Sequence, residues 1–318
     1  MRLLKLVPDN TNIDFMRWRN VALVLSLVVT MASMALVVVR GLNLGVDFVG
    51  GQMIRATFSQ TAPIEEVRGI IGALDVGDAS IQEFGNPRTL SIRMRLPPGG
   101  EEAANVVGSK VRAAISAKYP DTAFAVDTVS GKVSNELYRS GAMAIALAML
   151  GIAIYIWVRF EWQFGIGALT TLFHDVAVTM GFFSLTQLEF NLNVVAAILT
   201  IVGYSLNDTV VIYDRIRENL RKFRKMEIIP LLNLSLNETL SRTIVTSVSI
   251  MLALLILLLL GPEVIFGLSA AILLGIFVGT YSSIYISAPI LVWLKVGPDS
   301  FVPKATAGER AERHTEGY

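Results

Sequence analysis

Asp208 stands in the stretch Gly203-Tyr204-Ser205-Leu206-Asn207-Asp208-Thr209-Val210-Val211, inside a long apolar run. A charge at the centre of a bilayer costs about 2.5–3.5 kcal/mol on insertion scales. A carboxyl in such a position therefore needs a chemical reason. In a dry site it takes up a proton readily, and beside a guanidinium it stays charged. Arg242, in a second apolar run, is the guanidinium that could meet it. Asp208 lies six residues before Asp214, where its helix leaves the membrane, so it is roughly 9 Å deep at 1.5 Å per residue. Arg242 reaches a comparable depth if its helix enters near Leu236. The pair has the chemistry of a proton switch, although from spacing alone Arg242 reads equally as a cation reaching to the membrane surface. The alternative for Asp208 is a buried structural hydrogen-bond acceptor.

His174-Asp175 forms a second ionisable site in the middle of another apolar run, with Thr171, Asp175 and Thr179 on one helical face. Thr200, Tyr204 and Asp208 recur at four-residue spacing. Glu238, Arg242, Thr246 and Ser249 share a face of the next helix. Polar stripes of this kind face other helices or water, not lipid.

The elements that hold these residues are spans. Of 318 residues, 53% are hydrophobic and 17% charged, a composition of the membrane class. Six uncharged or nearly uncharged runs, 21–39, 140–158, 162–188, 190–213, 243–262 and 264–294, are long enough to cross a bilayer. The first is too long for a cleavable signal, and no small-residue cleavage pattern follows it. Gly275 and Gly279 in the last run offer a close helix contact, or simple tolerance of glycine.

Basic residues set the orientation. Arg2, Lys5, Arg17 and Arg19 precede the first run; Arg215, Arg217, Arg221, Lys222, Arg224 and Lys225 join the fourth to the fifth; Lys295, Lys304, Arg310 and Arg313 follow the sixth. With six alternating spans these segments share one side, which is then cytoplasmic. The expected organisation is a cytoplasmic start (1–20), a first span (21–40), an extracytoplasmic domain (41–138), spans two to six (139–294) and a cytoplasmic tail (295–318).

The extracytoplasmic segment 40–139 holds 11 basic and 11 acidic residues, balanced like a soluble domain. Strands are expected at 53–59, 80–84, 88–96 and 124–129, with helices at 63–74 and 101–118, and Asn86-Pro87 as the turn between the middle strands. The order βαββαβ is that of a ferredoxin-like fold. It carries no catalytic constellation, so a docking or substrate-contacting module is expected and not an enzyme. No phosphate-binding loop appears, which argues against direct use of ATP. Net charge is +1, with no footprint for nucleic acid. With no cysteine and two histidines, neither a metal nor another cofactor is expected.

Several segments together resemble the SecF family of protein-export subunits. They are Asp14–Arg19; Gly45-Val46-Asp47-Phe48-Val49-Gly50-Gly51; Phe173-His174-Asp175; Ser205–Asn219; Leu236–Ser247; and Phe266–Pro289. The likeness runs from residue 14 to about 295. The stretch Ser205–Asn219 is specific, whereas the Gly45–Gly51 motif is shared with the sister subunit SecD. The resemblance implies the resistance-nodulation-division superfamily, a bacterial inner-membrane location, and pairing with SecD beside the SecYEG channel, often with YajC. It implies that the proton-motive force helps draw the translocating preprotein outward. Asp208 and Arg242 match the family's proton-path positions, and Asn207, His174 and Asp175 are grouped with them. Gly45, Asp47, Phe48, Gly50 and Gly51 match the first motif, where Asp47 reads equally as a turn-former. A half-unit of a proton-driven efflux or lipid transporter is the alternative within the superfamily. A non-transporting scaffold would have no use for ionisable residues in the bilayer.

Overall fold

The structure is a computed structural model and describes residues 8, 11–74, 76–77, 79–97, 99–262 and 265–297. Most of the expected tail, with Lys304, Arg310 and Arg313, lies outside the described residues, as do Arg2 and Lys5. Six helices are long and apolar enough to span: Phe15–Arg40, Gly131–Arg159, Trp162–Thr186, Leu192–Lys222, Ile228–Leu260 and Phe266–Trp293. The chain is a multi-pass membrane protein.

The first span is a 3-10 turn, Phe15–Trp18, running into α1 (Arg19–Arg40). After the short α2 (Val46–Val49) comes a domain outside the helical bundle, the outer domain: β1 (Gly51–Thr57), α3 (Ile64–Gly72), β2 (Ala79–Phe84), β3 (Asn86–Met94), α4 (Gly100–Lys118) and β4 (Ala123–Val129). The remaining spans are α5 (Gly131–Arg159), α6 (Trp162–Thr186), α7 (Leu192–Lys222), α8 (Ile228–Leu260), and α9 (Phe266–Ser282), which continues through a π-helical turn into α10 (Ala288–Trp293). Helices α5, α7 and α8 outrun their apolar stretches because their charged ends stay helical beyond the lipid.

The sheet has the order β2-β3-β1-β4, every pair antiparallel. This agrees with the ferredoxin-like expectation. Ile54, Ala56, Leu90, Ile92 and Met94 point to one face and form a core with Val67, Ile71, Val111 and Ile115 of the two helices. Burial of each of the larger side chains is worth about 1.5–3 kcal/mol. The β2–β3 turn corrects the expectation. Asn86 and Pro87 belong to β3, and the reversal falls on Gly85, whose φ of 70° suits a residue without a side chain.

Inside the bilayer lipid is as apolar as leucine, so small residues and polar contacts hold the helices together. Ser26, Thr30 and Ser33 of α1 are buried at spacings of four and three. A Cβ on Gly181 of α6 would meet Ser33 at 2.4 Å, and one on Gly275 of α9 would meet Ile201 of α7 at 2.3 Å. The glycine pair in the last span is thus a close contact. At the start of the chain, Asn233 and Asn237 of α8 hold the 3-10 turn: the Met16 amide donates to Asn233 Oδ1 (3.0 Å) and the Ile13 amide to Asn237 Oδ1 (2.9 Å).

Candidate functional site

Asp175 lies at the junction of α6, α7 and α9 and is fully buried. Its Oδ2 accepts from Ser205 Oγ of α7 at 2.5 Å and from Ser282 Oγ of α9 at 3.0 Å, while Oδ1 lies 2.9 Å from Nδ1 of the adjacent His174. Gly279 makes this approach possible, since a Cβ there would sit 3.2 Å from Ser205 Cβ. Where the last span passes this site it loosens into a π-helical turn at Ser283–Ser287. Such turns recur at functional positions.

Asp208 lies one turn along α7 from Ser205 and is 3% exposed. Its Oδ2 has no hydrogen-bond partner. Arg242 of α8 is the cation whose field reaches it. No ion pair within 4.0 Å joins the two among the described residues. Arg242 and Asn207 instead stand on the outside of the chain. The expected α7 stripe divides. Thr200 turns its hydroxyl back to Ala196 O, whereas Tyr204 Oη meets Ser247 Oγ of α8 at 3.0 Å, and Ser247 Oγ meets Thr280 Oγ1 of α9 at 2.8 Å. On the α8 face Thr246 and Ser249 bond within their own helix. Glu238 accepts from Arg215 Nε at 2.8 Å and Asn219 Nδ2 at 2.7 Å.

The stretch Ser205–Asn219 is cross-linked along its length. Beyond Ser205, Tyr213 Oη donates to Ser287 O at 3.3 Å, and Asp214 pairs with Arg159 at 2.9 Å. Arg217 pairs with Glu161 at 3.2 Å, and Asn219 Nδ2 donates to Ser235 Oγ at 3.0 Å. Tyr213 fits because a Cβ on Gly167 would stand 2.2 Å from its hydroxyl.

The Gly45–Gly51 motif builds a hinge between the outer domain and the bundle. Gly45 N donates to Phe190 O at 2.8 Å, and a Cβ on Gly45 would strike Glu189 Oε1 at 2.6 Å. Asp47 Oδ2 accepts the Leu192 amide at 2.9 Å, so it caps the start of α7. Phe48 packs on Tyr138 and Phe190. Gly50 and Gly51 have φ of 73° and 128°, and a Cβ on Gly51 would meet Met94 O at 2.6 Å. The motif residues act here as structural joints.

Residues 110–297 match the family model described as "Protein export membrane protein SecD/SecF, C-terminal", and residues 35–62 match "SecD/SecF GG Motif". The chain belongs to the SecD/SecF family. The protein translocase subunit SecF of Rickettsia akari is 45% identical over 288 residues, covering 91% of this chain and 94% of its own length. That of Rickettsia felis is 44% identical over 292 residues, with the same coverage. A crystal structure of SecDF, a translocon-associated membrane protein from Thermus thermophilus, matches with a TM-score of 0.83 at 32% identity over 91% of this chain. SecDF in a super-membrane-facing form matches with a TM-score of 0.66 at 32% identity over 96%. The chain spans 40% of the length of either SecDF chain. In this SecD/SecF member Gly50-Gly51 of the hinge lie within the residues that match the second of these models.

Sequence reasoning found Asp175, His174 and Asp208 because ionisable residues stand out in apolar runs. It missed Ser205 and Ser282 as partners of Asp175, since hydroxyls are common in membrane helices and helix rotation decides what they meet. Glu189 and Arg93 likewise carry little signal in the sequence. The one signal for Glu189 was an acidic residue in a loop free of lysine and arginine.

Proposed function

We propose that this chain works with a SecD subunit in the Sec export machinery, using the proton-motive force to help secreted proteins leave the membrane channel. The observation that carries the reading is Asp208, a buried carboxyl whose Oδ2 has no donor, close behind an outer surface that bears Arg242 and Asn207. Lipid is a poor neighbour for such a surface, and a partner's helices are a good one. With SecD packed there, Asp208 and Arg242 become interior groups of the joint assembly. Protonation of Asp208 removes its attraction to Arg242 and frees α7 and α8 to shift. One charge crossing 100 mV releases about 2.3 kcal/mol, and the outer domain, attached through the hinge, takes up the movement. One SecDF structure is described as a super-membrane-facing form, which supports a body with more than one shape.

The basic turn between α7 and α8 faces the cytoplasm in this reading. Both chain ends lie there too, and the outer domain lies beyond the bacterial inner membrane. The SecYEG channel, YajC and the preprotein are the partners the function calls for. The work is mechanical, with no covalent chemistry and no cofactor. The test is proton flux in vesicles holding SecD and this chain. Asp208→Asn is expected to abolish the flux that the pair adds, and unchanged flux removes Asp208 from the mechanism.

A further inference from the structure

Glu189 takes no part in that reading. It lies in the α6–α7 loop beside the hinge, 8% exposed, and its Oε2 has no hydrogen-bond donor. The Arg93 guanidinium of β3 approaches it at 3.8 Å, too far for a hydrogen bond. Arg93 is held elsewhere: its Nη1 donates to Asn43 Oδ1 at 3.0 Å and to Leu44 O at 2.7 Å. Asn43 in turn donates to Gln82 Oε1 at 3.1 Å and to Gln187 O at 2.8 Å. The cluster therefore ties the sheet of the outer domain to the bundle. It borders a polar cavity of about 100 Å³, room enough for water.

A buried carboxylate with an oxygen lacking a donor is costly, whereas a neutral carboxyl is much less so. Arg93 and Arg55 favour the charged form, and Asp47 and Asp127 oppose it. Burial outweighs the arginines and holds Glu189 above its ordinary value of 4.5. Lifting the domain would return Glu189 to water and to ordinary ionisation. The docked arrangement thus binds the proton more tightly, and docking weakens as pH rises from the ordinary carboxylate range through the raised value.

We propose that Glu189 is a second proton-binding group, placed at the hinge, whose charge sets how firmly the outer domain is held to the membrane bundle. This extends the proton-driven reading to the outer domain, but its test needs neither flux nor export. The chain has no cysteine, so Gln60→Cys on the outer domain and Pro262→Cys on the bundle take spin labels cleanly. Dipolar distances are measured on the full chain in lipid nanodiscs between about pH 4 and about pH 8. The parent chain is expected to show a narrow distribution at low pH that broadens at high pH. Glu189→Gln is expected to stay narrow throughout. Arg93→Gln takes away the nearest cation and raises the docked-state value further, so its loosening, read against its own low-pH distribution, starts in the same ordinary carboxylate range but continues to higher pH and ends larger than in the parent. A parent distribution indifferent to pH, or a Glu189→Gln chain that still responds, overturns the proposal. If Glu189→Gln fails to fold, Arg93→Gln decides alone, and a loosening that ends no larger and at no higher pH than the parent's refutes it. Failure of the Asp208 flux test would leave this response intact, so the two readings fall separately.

Discussion

Removing the hydroxyl of Ser205 or Ser282 takes a donor from a carboxylate that water cannot reach. Each Ser→Ala change is expected to destabilise the chain by about 1–3 kcal/mol, read as a lower unfolding temperature in detergent. Asp208 behaves in the opposite way, because its Oδ2 already lacks a donor. Asp208→Asn is expected to leave the unfolding temperature nearly unchanged while it removes proton flux. That contrast separates a carboxyl held by its neighbours from one whose Oδ2 has no donor. The identity of both residues was legible in the sequence, because a charge inside an apolar run is conspicuous. Their different circumstances were not, since they depend on which side of α7 meets α9. The expected meeting of Asp208 with Arg242 was legible only as comparable depth. In the isolated chain Arg242 stands outside, where a partner would complete its surroundings.

The helices come close enough to build these sites because glycine stands at the crossings. Gly275→Leu would force α9 away from Ile201, and with it move Ser282 from Asp175. A lower unfolding temperature in detergent is the expected result. At the hinge, Gly51→Ala meets a backbone oxygen in a left-handed conformation, whereas Gly45→Ala meets a flexible carboxylate that can shift. Both should destabilise the join between domain and bundle, by about 1–3 kcal/mol for Gly51→Ala and less for Gly45→Ala. Protease sensitivity of the outer domain reads the difference. The outer domain's elements were legible from alternation along β3 and the apolar face of α4. The β2–β3 turn was misplaced because a proline drew attention from Gly85. The helix ends of α5, α7 and α8 were underestimated because hydropathy marks lipid, not helix.

At the scale of the molecule, three features stand in line: a basic side, an interior with two carboxyls, and an outer domain held by a hinge. Neutralising Arg221, Lys222, Arg224 and Lys225 to glutamine is expected to weaken the orientation of the chain in the membrane. Protease access to the α7–α8 turn from either side of the membrane measures that. In the proposed function, proton movement is converted into outward pull on a secreted chain. Its most direct measurement is the export rate in inverted vesicles holding the channel, SecD and this protein, as an imposed membrane potential is varied after ATP is exhausted. With the parent chain the rate should climb with the potential, and with Asp208→Asn it should stay flat. An Asp208→Asn chain whose export still follows the potential would contradict the account.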